Sequence, residues 1–368
     1  MAKKRKDGRL QKKFTFKGKT YFVYGHNAKE LFNAEVKKRE ELEQGFEKRD
    51  NPTVSEYYDR WIAAKEGKVK EATLWRNRKI FAVVSEIRIE SAKRSFGEMK
   101  IKEVSIDDLR KIQTLLLEER KSITVNDYMA HVKHFMGDAL KERIIDYNPC
   151  VLLDNVKRTE ERARDTYHRA LTIEEQQTFF NCDRCKSSYY NNIFRLAVNT
   201  GMRLGEIGAL KNSDIRKDTI YIERTITRTD SGAYIIGEDA KTEAGRRAIP
   251  MNEQIKAIIS EQKEINRLIN GKVVSMNDLL FKAPEGGLLM ATPADREIKR
   301  ICKKVDIEPF TMHALRATFA TRAIESGMNP KTLQEILGHS SFNITMSLYG
   351  HALADTKKAE MDAIAIII

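Results

Sequence analysis

Two stretches near the start of the chain, Lys13-Phe14-Thr15-Phe16, which alternates between polar and apolar positions, and the aromatic-rich Thr20-Tyr21-Phe22-Val23-Tyr24, are strand-like. A period of two marks strands, and Lys17-Gly18-Lys19 between them is a short glycine-containing turn, so a hairpin is predicted. Asn27 is placed to cap a helix whose apolar side is predicted to be Leu31, Phe32, Val36 and Leu42. Gly45 to Pro52 reads as a linker. Residues 53–148 then carry helical spacing almost free of Gly and Pro. Thr53 caps a helix containing Tyr57, Trp61 and Ile62, and Asp107-Asp108-Leu109 opens another that runs through Leu115-Leu116-Leu117. Thr124 opens a third, with Tyr128, Val132, Phe135, Met136 and Leu140 at helical spacing.

Asn148-Pro149 ends this block. Lys157 to Arg169 is dense in charge without apolar periodicity, which marks a linker between domains. From about Ala170 a larger region begins, opened by Thr172 and Glu175 at capping-box spacing. Strand alternation follows at Asp218 to Glu223, Tyr234 to Ile236 and Arg247 to Pro250. The last two are predicted to flank a hairpin turn, Lys241 to Arg246, that carries a lysine. Helices then fill the chain from Met251 to Tyr349, and no internal repeat is visible. The fold class expected is mixed and mostly α. A small basic hairpin-and-helix domain (1–45) precedes a helical domain (52–150) and an α-rich domain with a small antiparallel sheet (165–368).

Composition narrows the function. The 368 residues are 41% hydrophobic and 32% charged, with 7 Pro and 19 Gly, which excludes collagen-like, low-complexity and wholly disordered classes. The 66 Lys and Arg against 53 Asp and Glu leave a net charge of +13, which points to a polyanionic partner. No apolar run reaches the roughly 18 residues that span a bilayer, and the basic start has no apolar stretch behind it to make a secretory signal. Nine Lys and Arg against one acid lie in residues 1–28. A two-stranded ribbon fits the DNA major groove, so Lys12, Lys13, Lys17 and Lys19 are the candidate DNA contacts. A merely solubilising arm is the alternative, and the aromatic alternation argues against it. Four cysteines make no disulfide framework and suit a reducing cytosol. Cys182 and Cys185 form a lone C-x-x-C without two further ligands at short spacing, so no metal site is read there.

Four segments carry candidate chemistry: Thr200-Gly201-Met202-Arg203-Leu204-Gly205-Glu206, the turn lysine Lys241, His313-Ala314-Leu315-Arg316, and Leu337-Gly338-His339-Ser340-Ser341 with Tyr349-Gly350-His351 ten residues on. His313 and Arg316 share a helix face at i and i+3. Two arginines can hold the non-bridging oxygens of a phosphodiester. Histidines move protons near neutral pH, a lysine can protonate a leaving alkoxide, and a tyrosine can attack as a nucleophile. Together these groups suffice for phosphoryl transfer in which cationic side chains stabilise charge. Taken singly each has a blander reading: Arg203 salt-bridged to Glu206, Tyr349 a buried aromatic, either histidine structural. Their order in one basic chain outweighs those readings.

That order, with the segments T-G-M-R-L-G-E, H-A-L-R-A-T-F-A-T and I-L-G-H-S-S, resembles the tyrosine recombinase (phage integrase) family. The layout is similar to integrases of conjugative transposons and temperate phages that carry an arm-binding domain. The resemblance implies a helical core-binding domain at 53–148 and a catalytic domain from about 170. It further implies that Tyr349 forms a 3′-phosphotyrosyl bond, that Lys241 is the general acid toward the 5′-oxygen, and that Arg203 and Arg316 stabilise the pentacoordinate phosphorus. His313 would assist proton transfer and His339 hydrogen-bond the phosphate. Ala317 departs from the many members with a second histidine there, outside the catalytic set. No ATP, metal or other cofactor is implied. The implied partners are double-stranded DNA at attachment sites, three further copies in a tetramer, and an accessory DNA-bending or excision factor, in a bacterial cytoplasm away from membranes. The apolar tail at 362–368 is expected to dock, in cis or in trans, rather than stand in water.

Two other classes are weighed. Residues 311–348 carry a helix-turn-helix-like pattern, and a transcription factor would explain the charge but not Arg203, Lys241 and Tyr349. A type IB topoisomerase would share the chemistry, and the arm-like N-terminus favours the recombinase.

Overall fold

The computed structural model describes residues 3–4, 8–43, 51–90, 92–157, 169–237, 245–270 and 275–346. The expected linkers at Gly45 to Pro52 and Lys157 to Arg169 lie largely outside these, and Lys241, Tyr349, His351 and the apolar tail lie wholly outside. The chain divides into two compact units, Met1–Arg162 and Ala163–Ile368. Among the described residues no helix is long and apolar enough to cross a membrane.

The first unit begins with three antiparallel strands in the order β1 (Lys3–Lys4), β2 (Leu10–Phe16), β3 (Lys19–Gly25). Phe14 pairs with Tyr21 and Lys12 with Val23. The β2–β3 turn has positive φ at Lys17 (45°) and Gly18 (79°), the two-residue geometry whose twist matches a hairpin. The hairpin is thus longer than its alternating core, and β1 is an unanticipated third strand. Helix α1 (Ala28–Glu43) starts where Asn27 Oδ1 accepts the Glu30 amide at 2.9 Å. Phe14, Val23, Leu31 and Leu42 form the small core.

Two of the four predicted core positions of α1 are corrected. Phe32 is 63% exposed and Val36 is exposed too, while Glu35 is buried. Leu31, Glu35 and Leu42 share the face toward the sheet, and Phe32 sits a hundred degrees round the helix. Burial of Glu35 is compensated by ion pairs to Lys12 and Arg39.

Four helices build a separate core within this unit: α2 (Val54–Ala63), α3 (Glu71–Ser85), α4 (Ile106–Glu119) and α5 (Ser122–Lys141). Thr53 caps α2, accepting the Glu56 amide while Glu56 reaches back to the Thr53 amide. Ser105 and Asp108 do the same for α4. Helix α5 starts at Ser122, two residues before the predicted Thr124. A two-residue hairpin, β4 (Arg88–Ile89) with β5 (Arg94–Ser95), was not legible from such short strands. Tyr58 lies flat on Phe81 at 3.6 Å between centroids, edge-on to Phe135, with its hydroxyl 3.1 Å from His131 Nε2.

The second unit packs α6 (Ile173–Asn181), the single turn α7 (Asp183–Lys186), α8 (Asn191–Thr200) and α9 (Leu204–Gly208) with α10 (Glu253–Asn270), α11 (Ala291–Val305), α12 (Met312–Glu325) and α13 (Pro330–Leu337). Thr172 and Glu175 form the expected capping box on α6. Ile193, Phe194, Leu196 and Ala197 of α8 and Leu315 of α12 lie in the main core. Five short strands accompany the helices: β6 (Ile215–Arg216), β7 (Thr219–Ile222), β8 (Thr225–Arg228), β9 (Tyr234–Gly237) and β10 (Arg247–Pro250). Their pairing corrects the predicted hairpin: β9 pairs with β8, and β10 pairs with β7 in a sheet ordered β10-β7-β6. That register stacks the apolar sides of Ile220, Ile222 and Ile249 on the helical core, which β9, with Tyr234 and Ile235 exposed, cannot do.

His131 gives the first unit a testable pH response. Burial among Tyr58, Trp61 and Phe135, with lesser contributions from His134 and Arg76 against Asp127, pulls its pKa from the ordinary 6.5 down to about 4. The folded chain therefore binds fewer protons than the unfolded one between these values. The stabilisation is complete above about pH 6.5 and is lost as pH falls toward 4, by up to about 1.4 kcal/mol per pH unit. Both tryptophans, Trp61 and Trp75, lie in this unit. Urea midpoints followed by their fluorescence are expected to fall between pH 7 and pH 5, and to fall less in His131→Gln; equal falls would remove His131 as the cause.

Candidate active site

The segment after α8 turns sharply. Gly201 ends the helix in the left-handed region at φ 65°, and a Cβ there would stand 2.5 Å from Phe319 Cδ1 and 2.7 Å from Leu337 Cδ2. Only glycine fits both demands. The turn delivers Arg203 to the start of α9. One turn on, Gly205 lies so close to β8 that a Cβ would meet Thr225 Oγ1 at 2.8 Å.

Arg316 reaches the same place from α12. It is 5% exposed, and among the described residues no carboxylate bonds it. Its guanidinium instead donates to two backbone carbonyls, Gly201 O and Leu337 O, both at 2.7 Å. Burial, then the charges of Arg203 and Arg247, pull its pKa to about 9, against the helping charge of Glu206, and it stays cationic at neutral pH. Two bonds use two of its five N–H groups, so donors remain for an incoming anion.

Arg203 is anchored differently. Its side chain is 43% exposed, and its Nη1 and backbone amide donate to Glu206 at 2.9 and 2.8 Å. Glu206 is itself buried and also receives Arg247, Nη1 on Oε1 at 3.1 Å and Nη2 on Oε2 at 2.7 Å. Burial would raise the Glu206 pKa, but the Arg247 hydrogen bonds and charge outweigh it and hold the group ionised.

His339 completes the cluster. Asn329 caps α13 and Gly338 ends it in the left-handed region. Gln334 then grips the next residue twice, accepting the His339 amide at 3.2 Å and donating Nε2 to its carbonyl at 3.1 Å. The ring Nδ1 lies 3.0 Å from Thr345 Oγ1, which is wholly buried. Either atom can be the donor there; when the hydroxyl donates, the neutral ring carries its proton on Nε2. Burial, then the charges of Arg316, Arg203, Arg247 and His313, lower the His339 pKa to about 4. The same influences show that the four sequence-predicted residues Arg203, His313, Arg316 and His339 share one neighbourhood. His313 stands on the exposed side of α12, one turn before Arg316.

Sequence reasoning missed Arg247 and Thr345. Arg247 carried a signal: it shares the inward side of β10 with Ile249, and an inward arginine needs a buried acid. The reading of Arg203 as paired to Glu206 was offered against a chemical role, yet the pairing and an exposed guanidinium coexist. Lys12 projects to the helix side of the hairpin and pairs with Glu35, because even-numbered residues of β2 face α1. Cys182 and Cys185 serve locally, the Cys185 amide donating to Cys182 Sγ at 3.3 Å.

The sequence model of the phage integrase family matches residues 169–355. That is half of the chain, it contains all these residues, and the chain belongs to the phage integrase family. Among its relatives is the transposase from transposon Tn916 of Enterococcus faecalis, 29% identical over 260 residues, 65% of this chain and 60% of that protein. The chain therefore matches less than two thirds of that relative's length. The ICEBs1 integrase of Bacillus subtilis is 28% identical over 272 residues, 72% of this chain and 70% of that one. In solved structures, the Tn1549 transposon integrase in complex with transposon right end DNA superposes with a TM-score of 0.69 at 25% identity, covering 85% of this chain and all of that one. A lambda integrase tetramer bound to a Holliday junction matches with a TM-score of 0.60 at 18% identity, covering 92% of this chain and 95% of that one, a likeness of fold alone.

The two arginines are expected to separate in a stability measurement. Arg316→Met strands two buried carbonyls, each costing about 1–3 kcal/mol, and should destabilise by at least about 2 kcal/mol. Arg203→Met removes a half-exposed pair and should cost no more than about 1 kcal/mol. Native-state hydrogen exchange of α8 and α12 amides measures both, and equal losses would contradict the division.

Proposed function

We propose that the chain is a site-specific DNA recombinase that cuts and rejoins DNA through a 3′-phosphotyrosyl intermediate, integrating and excising a mobile element. The observation that carries this is the convergence of a backbone-anchored Arg316, a carboxylate-anchored Arg203 and a neutral His339. Such a cluster offers fixed N–H donors to a phosphate without needing to reorganise. The proposed sequence starts with attack of the Tyr349 hydroxyl on the scissile phosphorus. The Tyr349 O–P bond forms, the bond to the 5′-oxygen breaks, and Lys241 gives that oxygen its proton. His313 assists removal of the phenolic proton. Arg203, Arg316 and His339 Nε2 hold the equatorial oxygens as charge develops on them. The 5′-hydroxyl of a second strand then reverses the step. Bonds broken equal bonds made, so no external energy source enters.

The rest of the proposal concerns partners. Double-stranded DNA at attachment sites is the substrate, and the domains at 1–45, 52–150 and 165–368 serve as arm-binding, core-binding and catalytic parts. The hairpin would read DNA with the face turned away from α1, which carries Lys13, Phe22 and Tyr24, and with the turn residues Lys17 and Lys19; Lys12 leaves the set. Relatives in this fold have been seen as a tetramer on a Holliday junction, which supports a tetramer here. An accessory bending or excision factor and a tail docked in trans extend that picture.

Nicked duplexes built on the DNA flanking the coding sequence test the chemistry. Tyr349→Phe is expected to abolish the covalent adduct on a denaturing gel while leaving the native gel shift intact; a persistent adduct would remove Tyr349 as nucleophile. Cleavage is also expected to persist in excess EDTA, since arginines, lysine and histidines supply the charge and protons. Loss with chelator, restoration by Mg²⁺ and unchanged binding would refute that account.

A further inference from the structure

Resting on that reading, we propose that Arg247 is a positioning residue for DNA cleavage: it acts through Glu206 to aim Arg203, and never touches the phosphate itself. Four of its five N–H donors are already committed. Nε donates to Ile336 O at 2.5 Å, Nη1 to Glu206 Oε1 at 3.1 Å and to Gly245 O at 3.3 Å, and Nη2 to Glu206 Oε2 at 2.7 Å. Its side chain is 5% exposed, against 43% for Arg203. One guanidinium thereby ties three parts of the site. The first is Glu206, which holds both the amide and the guanidinium of Arg203. The second is the carbonyl end of α13, where Ile336 O takes Arg247 and the adjacent Leu337 O takes Arg316, just before His339. The third is Gly245, close after Lys241 in the chain.

The geometry also assigns Arg247 an electrostatic task. Glu206 is faced by Arg203 from its own turn, by Arg247 from β10 and by Arg316 from α12, while His339 beyond them is neutral. Arg247 alone bonds both carboxylate oxygens with its two terminal nitrogens. Without it, a buried carboxylate keeps one hydrogen-bonded arginine, itself half in water, and takes up a proton more readily. A protonated Glu206 loses acceptor capacity, and Arg203 loses the fixed direction its N–H groups need. Misplacing a reacting contact by about 1 Å costs roughly 100-fold in rate.

The test uses the full chain and the same nicked duplexes built on flanking DNA. Arg247→Met is expected to bind as the wild type, to cleave about 100-fold more slowly, and to show a rate that falls further as pH is lowered from 8 to 6. The double variant Arg247→Met with Glu206→Gln should lose that acid-side fall, because a carboxamide does not titrate. Arg247→Lys keeps a charge without the fork, so it should cleave more slowly than the wild type with the wild type's own pH profile. Wild-type cleavage by Arg247→Lys or Arg247→Met would overturn the proposal. So would a slowing of Arg247→Met that is equal at every pH and unchanged by Glu206→Gln, which is what loosened packing alone would give. Should Arg247→Met fail to fold, the rate and pH profile of Arg247→Lys decide. If the wild-type chain itself forms no adduct, the recombinase reading fails, a result separate from any of these.

Discussion

A guanidinium buried against two carbonyls governs this molecule. Arg316 has left water without meeting a carboxylate among the described residues, and burial of a charge is costly unless it is hydrogen-bonded. The compensation comes from the backbone of Gly201 and Leu337. This choice leaves the positive charge un-neutralised. Around it, among the described residues, Arg203 and Arg247 add two more cations against the carboxylate of Glu206, and His339 is kept neutral by the same surroundings. The cluster thus stands with excess positive charge in a low-dielectric setting, where an anion is bound more strongly than at an open surface. Packing and chemistry are tied together here. The glycine at 201 is required by contacts with Phe319 and Leu337, and the same turn presents a carbonyl to Arg316 and starts the helix that carries Glu206.

Much of this was legible in the sequence. Capping pairs such as Thr53 with Glu56 and Thr172 with Glu175 act over three residues, so their geometry follows from spacing alone. The four predicted residues Arg203, His313, Arg316 and His339 lie in one neighbourhood, whereas Lys241 and Tyr349 belong to stretches the structure does not describe. What escaped was non-local. The partner of β10 is β7 and that of β9 is β8, a choice set by which strands can bury isoleucines on the helices, not by which are adjacent. Arg247 escaped for the same reason, since its purpose exists only once Glu206 and Ile336 arrive beside it.

The N-terminal hairpin shows how a charge count can mislead at single residues. Four lysines looked equivalent. Yet Lys12 lies on the side of β2 that meets α1 and neutralises a buried Glu35, so part of the basic character supports folding. The opposite face holds Lys13 beside Phe22 across the strand pair, a mixture of cation and exposed ring. Strand parity, not composition, divides the two roles.

The span of the bonds that build the arginine cluster sets when it can exist. Arg316 bonds a carbonyl 115 positions away, and Arg247 one that lies 89 positions away. Contacts of such range close only after the loops between them are closed, and they form late when a chain folds. Until then Arg316 has no carbonyls to compensate its burial, and it stays in water as an ordinary surface charge. A nascent or partly unfolded chain therefore has no assembled arginine cluster. The concentrated positive charge of the cluster is withheld until the second unit is complete.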